Sequence, residues 1–306
     1  MIPRVVFFSS ADISIPTLNF LKESPSTNLV GVITQPGRPK GRGQKISPNP
    51  VALWAQEKGV FFYEAEELGD AAFEVFKNLR PDLVFVMAFG RLLKNRFIDL
   101  PFYGMWNLHA SLLPKLRGAS PMQSAILNGD EYTGLTLMRM VEKMDAGPWV
   151  FQECIKIEAD DTTATLTKKL AESGVSVLKI TLPHLLDKTL VCIDQEPESV
   201  TYCKKISKED GWLDFSKPAA VLERQIRAFQ PWPSSYFFKN NERYIVRKAH
   251  VEFEMKFNVV GKFNIAENGT KLSIETGEGT LVIDVMQKAG GKPMPIADFL
   301  RGNKNF

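Results

Sequence analysis

Short apolar runs alternate with longer amphipathic ones through the first 190 residues or so: "RVVFF", "IPTLNFL", "LVGVIT", "VALWAQEKG", "DLVFVMAFG" and "MWNLHAS". Alternating β and α patterns predict a parallel sheet with helices on both faces, whose ligand crevice lies at the carboxyl ends of the strands. "SPMQSAILNGD" predicts a helix with Ser120 as N-cap, Pro121 at the first helical position and Gly129 just past the end. "GLTLMRM" and "WVFQECIKI" predict strands, and "VEKMDAGP" between them puts Asp145 in the connecting turn. From "ADDTTATL" to about Lys188 the pattern is helical, with a break or kink expected at Pro183.

The character of the chain changes near "VCIDQEPESVTYCKKISKEDGWLDF", a polar stretch without a sustained period, which has the look of a linker. A helix from Pro218 to Phe229 ends at "PWP", and "RYIVRKAHVEFE", "KLSIET" and "TLVIDVM" then predict strands, the last two joined as a hairpin across "GEG". Evenly spaced short strands of this kind suggest a small barrel or sandwich. A length of 306 residues suits two such domains. We expect an α/β domain over 1–189, a linker over 190–208 and a small β-barrel over 209–306.

With 44% hydrophobic and 24% charged residues, and no apolar run approaching a membrane span, the chain reads as a soluble globular protein. The N-terminal "MIPRVVFFSS" enters a β-rich run at once, without room for a signal or transit peptide, which implies a bacterial-type cytoplasmic protein. Cys154, Cys192 and Cys203 are odd in number and lack CxxC spacing, so neither a disulfide framework nor a zinc site is expected. No helix carries a long heptad seam, and a monomer is expected.

A net charge of +3 does not by itself argue for a nucleic-acid partner, so local charge must. Residues 34 to 50, "TQPGRPKGRGQKISPNP", carry Arg38, Lys40, Arg42 and Lys45, and no Asp or Glu occurs between Glu23 and Glu57. Basic loops are often plain solvated excursions. A connection this long inside an α/β domain is usually functional, however, and glycines let a backbone approach a polyanion while Arg and Lys neutralise phosphates. GxxxxGK[ST] is absent, so the loop is no P-loop.

"WNLHASLLPKLRGASPMQSAI" contains His109, one of three histidines in the chain. If Met105 to His109 is a strand, Asn107 and His109 share a face, because i and i+2 do. Taken singly, His109, Asn107 and Asp145 each have a structural explanation. Together they supply an amide donor, a group titrating near neutral pH and a carboxylate at one sheet edge. An amide and an imidazolium stabilise an oxyanion, and a carboxylate keeps the imidazole charged and accepts a proton, a set that fits acyl-type transfer without a covalent intermediate. "HAS" lacks the GxSxG elbow of a serine hydrolase, and so few His and Cys argue against a metal site.

"NLHASLLPKLRGASPMQSAILNGDEYTGLTLMRMVEKMDAGP" resembles the core signature of the folate-dependent formyltransferases, in which Asn-x-His, a following "SLLP" and a later Asp-x-Gly recur. "ITQPGRPKGRGQKISPNPV" is similar to the basic loop of the branch that acts on aminoacylated tRNA, and "IRAFQPWPSSY" and "GGKPMPIADFLRG" resemble that branch's C-terminal domain. One departure is "FFSSADISIP", which replaces a glycine-containing turn after the first strand. The resemblance implies a Rossmann-like catalytic domain, an OB-like C-terminal barrel, and formyl transfer from 10-formyltetrahydrofolate to the α-amino group of methionine on initiator tRNA. Asn107, His109 and Asp145 would then be catalytic, with no metal. Ser111, Leu112, Leu113 and Pro114, with Phe89, Gly90 and Leu92 of "VMAFGRLL", would meet the folate, although core packing explains Val86 and Leu92 equally well. Arg38, Lys40, Arg42 and Lys45 would enter the acceptor stem, Lys204 and Lys205 would meet phosphates, and a C-terminal patch of Lys288, Lys292, Arg301 and Lys304 would add to them. Two rivals stay open: a formyltransferase of a small amine, such as a glycinamide nucleotide or an amino sugar, and a non-catalytic RNA-binding module.

Overall fold

The computed structural model describes residues 2–40, 45–252, 259–266, 269–303 and 306. The chain divides into two compact units, the first made of Met1–Pro121, Tyr132–Lys156 and Thr167–Cys203, the second of Met122–Glu131, Ile157–Leu166 and Lys204–Phe306. No described helix is long and apolar enough to cross a membrane.

In the first unit the strands are β1 (Arg4–Phe8), β2 (Asn28–Thr34), β3 (Arg38–Lys40), β4 (Lys45–Ser47), β5 (Phe62–Glu64), β6 (Leu83–Val86), β7 (Met105–His109), β8 (Arg117–Gly118), β9 (Tyr132–Arg139), β10 (Trp149–Lys156) and β11 (Tyr202–Cys203). Seven of them form one sheet in the order β10-β9-β7-β6-β1-β2-β5. The run from β7 to β5 is parallel, and β9 and β10 extend it antiparallel. Central parallel strands are covered on both faces and so tolerate no polar alternation. Accordingly Val5, Val6, Phe7 and Phe8 of β1 are all fully buried. Phe8 is the hub of an aromatic cluster, with the rings of Phe76 and Phe89 at 5.5 and 5.2 Å, both edge-on.

Local signals set the helix ends. Asn49 caps the helix Pro50–Lys58 by accepting from the N–H groups of Val51 and Ala52, both at 3.0 Å, and Gly59 closes it in the left-handed region. The helix Pro121–Asn128 follows Ser120 and is terminated by Gly129. The turn after β1 works without glycine because its serines tie it together: Ser9 Oγ donates to Ser14 Oγ, and Ser14 Oγ to the Ala11 carbonyl, both at 2.8 Å.

Two details differ from the sequence reading. The helix Thr163–Leu186 runs without interruption through Pro183, because a proline one turn from the end sacrifices a single backbone bond. Part of the basic connection is also an antiparallel ribbon, with β3 against β4 in the register Arg38↔Ser47, Pro39↔Ile46 and Lys40↔Lys45. Pairing with itself satisfies backbone groups that have no core to enter.

The second unit carries β12 (Ser235–Lys239), β13 (Glu242–Glu252), β14 (Phe263–Ile265), β15 (Leu272–Glu275), β16 (Thr280–Lys288) and β17 (Met294–Pro295). They form an antiparallel half-barrel in the order β12-β13-β16-β15-β14, with β17 also on β16, and Glu275 opposite Thr280 marks the hairpin across residues 276–279. The helix Ala219–Ala228 turns Leu222 and Ile226 into a core of Phe237, Val246, Ile274, Leu281, Ile283 and Phe299. Those two positions are four apart on one helical face.

Candidate active site

Asn107 and His109 lie at the carboxyl end of β7, opposite Met138 and Thr136 of β9. Asp145 reaches them from the loop between β9 and β10. Its Oδ1 is 3.4 Å from Asn107 Nδ2 and 3.6 Å from His109 Nδ1, while its Oδ2 accepts from the Gly118 N–H at 2.8 Å. His109 is buried, and its Nε2 lies 3.0 Å from the Leu116 carbonyl oxygen. A carbonyl only accepts, so Nε2 carries a hydrogen and Nδ1 is the ring atom left to exchange a proton. The three polar groups expected at one sheet edge are thus brought around one carboxylate oxygen.

A further layer holds this cluster, and sequence reasoning missed it. Leu116 and Asp145 both have left-handed backbones, with φ of 59° and 50°. Leu116 N–H donates to Thr201 Oγ1 at 2.9 Å, and β11 pairs with β8 in parallel so that Arg117 and Gly118 oppose Tyr202 and Cys203. Gln195, buried, donates to the carbonyls of Asp145 and Gly147 and accepts from Arg117. Residues 195 to 203 belong to the stretch that reads as a linker. A polar segment with no period gives no warning that it packs.

Two family models match the chain, one described as formyl transferase over residues 4–182 and one as formyl transferase, C-terminal domain, over residues 205–304. The chain belongs to the formyl transferase family. It is similar along its whole length to methionyl-tRNA formyltransferases, being 37% identical to that of Halorhodospira halophila over 99% of this chain and 97% of the relative. The Bacillus licheniformis methionyl-tRNA formyltransferase is 38% identical over 98% of this chain and 95% of its own. Among solved structures, an N-formyltransferase of Helicobacter canadensis, in complex with folinic acid and dTDP-3-aminofucose, shares the fold with a TM-score of 0.68 at 20% identity, over 94% of this chain and all of that one. HypX of Aquifex aeolicus with tetrahydrofolic acid shares it at a TM-score of 0.65 and 16% identity, over 98% of this chain and 47% of that one.

In this member of the formyl transferase family the "SLLP" turn is fastened to the sheet. Ser111 Oγ donates to the Lys115 carbonyl at 2.6 Å, Thr136 Oγ1 donates to the Ser111 carbonyl at 2.6 Å, and Gln152 Nε2 donates to the Leu113 carbonyl at 2.7 Å. Ser111 and Leu113 are buried, which leaves half-buried Leu112 and Pro114 as the more accessible side chains. Phe89 sits in the core beside Phe8, so its side chain is spent on packing. Gly90 and Leu92 are exposed, and Ala88 and Gly90 both have positive φ, giving an irregular backbone after β6. Val86, by contrast, is core.

Of the basic residues, Arg38 is exposed and donates to Gln35 Oε1. Gln35 in turn donates through Nε2 to the Phe89 carbonyl, and its backbone N–H donates to Ser10 Oγ. One glutamine therefore joins the root of the basic ribbon, the turn after β1 and the segment after β6. Lys40 and Lys45 are described only as backbone within the ribbon, and Arg42 lies outside the described residues. Lys204 pairs with Asp210 at 2.8 Å, which holds that carboxyl below the usual carboxylate range, and Lys205 is exposed. Lys288 pairs with Glu242 at 2.7 Å and Arg301 with Asp298, while Lys292 is exposed. Lys304 lies outside the described residues. Two members of the expected C-terminal patch thus already have carboxylate partners.

Proposed function

We propose that the chain transfers the formyl group of 10-formyltetrahydrofolate to the α-amino group of methionyl initiator tRNA, acting as a monomer in the cytoplasm. The observation that carries this reading is end-to-end similarity to methionyl-tRNA formyltransferases, together with Asn107, His109 and Asp145 around one oxygen. The reduced folate supplies the formyl carbon and leaves with a proton on its nitrogen.

Exposed Ala88, Gly90 and Leu92, in an irregular stretch outside any strand, and the half-buried Leu112 and Pro114 suit a flat heterocycle with polar edges, which main-chain groups outside a ladder can meet with hydrogen bonds. An α-amino group titrates near neutral pH, so a useful fraction attacks without strong activation, and the harder task is the oxyanion of the tetrahedral intermediate. Asn107 Nδ2 and His109 Nδ1–H are the donors for that oxygen. Asp145 Oδ1 takes the proton of the attacking amine, His109 Nδ1 gives one to the departing nitrogen, and Asp145 Oδ1 then passes its proton to His109 Nδ1, 3.6 Å away, which closes the proton balance. Nε2 stays on the Leu116 carbonyl throughout and keeps the ring in one orientation. Arg38, Lys40, Arg42 and Lys45, with Lys204 and Lys205, contact the phosphates of the acceptor stem.

The test is to incubate the full chain with 10-formyltetrahydrofolate and aminoacylated initiator tRNA, follow formyl-methionine, and run His109→Ala beside it. Product from the wild type alone supports the reading. Absence of product, with transfer to a free amino sugar or glycinamide nucleotide instead, refutes the acceptor.

A further inference from the structure

Gln195 uses every hydrogen-bonding position of its amide. Its Nε2 donates to the carbonyls of Asp145 and Gly147 at 2.8 and 2.7 Å, and its Oε1 accepts from Arg117 Nε and Nη2 at 3.0 and 2.8 Å. The orientation is unambiguous, because two carbonyls can only accept and a guanidinium can only donate. Arg117 is itself buried, so its planar fork fixes Gln195 as a rigid bracket rather than a mobile surface group.

Asp145 needs such a bracket. Its φ of 50° lies in the left-handed region, which aspartate enters more readily than most residues but at some cost, so contacts that hold the turn's carbonyls keep its carboxylate in one place. The loop cannot lean closer to β9, since a Cβ on Gly147 would lie 1.8 Å from the Arg139 carbonyl oxygen. Gln195 grips the carbonyls on either side of Ala146, and the adjoining residues 201 to 203 hold Leu116 and Gly118, the partners of His109 Nε2 and Asp145 Oδ2.

We propose that Gln195, anchored by Arg117, is the positioning residue that sets Asp145 against His109 and Asn107 for formyl transfer. The inference rests on the function proposed above. Gln195 touches no reacting atom. It acts by fixing the backbone from which the carboxylate is aimed, and a misplacement of about 1 Å in such a group costs about 10²-fold in rate.

Gln195→Glu separates positioning from mere folding. Its carboxylate still receives the Arg117 fork, as a full ion pair, but it turns an oxygen towards the carbonyls of Asp145 and Gly147, where a donor is required. Wild type, Gln195→Glu and His109→Ala are compared for kcat, for KM of each substrate and for thermal midpoint. We expect Gln195→Glu to stay folded with a lowered midpoint, since two buried carbonyls lose their donor, and to keep both KM values while kcat falls about 100-fold, the cost of misplacing a reacting group by about 1 Å. If His109→Ala abolishes turnover but Gln195→Glu turns over like wild type, the positioning role is overturned and the proposed function stands. If the wild type forms no formyl-methionine, the function fails and takes the role with it. Should Gln195→Glu unfold, Arg117→Lys reads the same relation, since it keeps the charge but replaces the fork by a single contact. A folded Arg117→Lys with reduced kcat and unchanged KM supports the proposal, and one with wild-type kcat overturns it.

Discussion

The Gly118 N–H donates to Oδ2 of Asp145 at 2.8 Å, so the carboxylate is pinned by one oxygen while the other faces Asn107 Nδ2 and His109 Nδ1. Asp145→Asn tests what the facing oxygen does. The amide can still accept from Gly118, but it then presents an NH2 to the other two groups and has no basic oxygen to offer. General base chemistry contributes about 10²–10⁴-fold, and kcat should fall by that order while folate affinity, measured by fluorescence titration, holds. Turnover close to wild type removes Asp145 from the proton path.

Asn107 is half-buried and its only described side-chain bond is the long one to Asp145, so its amide contributes little to folding. Asn107→Ala removes one donor from the proposed oxyanion site. Loss of one such donor costs about 10²–10³-fold in kcat, and the thermal midpoint should stay near that of the wild type. A variant with full turnover would falsify the donor role.

Gly118→Ala addresses the backbone behind the site. Gly118 has a φ of 122°, and a Cβ there would stand 2.3 Å from the Cys203 carbonyl oxygen. The chain must then either part β8 from β11 or move Gly118 off Asp145, and backbone strain of this kind costs about 1–3 kcal/mol. A lowered urea midpoint together with reduced kcat is expected, because the same residue serves both the ladder and the carboxylate. An unaffected midpoint would mean that the β8–β11 pairing contributes nothing to stability.

Much of this was legible in the sequence because the determining signals are local. The apolar run of β1, the Asn49 and Gly59 helix boundaries and the i, i+2 spacing of Asn107 and His109 each follow from a few consecutive residues. The half-barrel likewise announces itself through alternating strands and a hairpin. What stayed hidden depends on contacts distant in sequence: Gln195 reaches Asp145 fifty residues away, and Thr201 reaches Leu116 across eighty-five. Neither residue type is diagnostic, and polar segments read as solvated until a fold places them. Phe89 shows the converse, since its motif marks it for the ligand while its ring fills the core beside Phe8.

The second unit has its own pH sensitivity. Burial, with a 2.6 Å hydrogen bond donated to Glu242, pushes the Tyr244 hydroxyl up from 10.0 to about 12. Between these values the unfolded chain has lost a proton that the folded chain retains, so stability is complete below pH 10 and declines as pH rises towards 12. Tyr244→Phe keeps the ring stacked on Phe237 and edge-on to Phe299 but abolishes the titration. Urea midpoints at about pH 9 and about pH 11 should converge in the variant relative to the wild type. An equal drop in both proteins assigns the alkaline loss elsewhere.

Arg38 can serve two ends, and salt distinguishes them. Its guanidinium is exposed at the start of the basic ribbon, yet one nitrogen donates to Gln35, which holds the Phe89 carbonyl. If Arg38 meets a phosphate, each counterion it displaces contributes to the salt dependence of tRNA affinity, and Arg38→Ala should flatten the log–log slope by about 0.7–0.9. If it instead braces the segment after β6, the slope stays and the KM for the folate rises. We expect the flattened slope with little change in folate KM, because Gln35 retains Ser10 and Asn49 as partners when the arginine is removed. An unchanged slope in both Arg38→Ala and Arg42→Ala would take the ribbon out of the tRNA interface and leave the phosphates to Lys204 and Lys205.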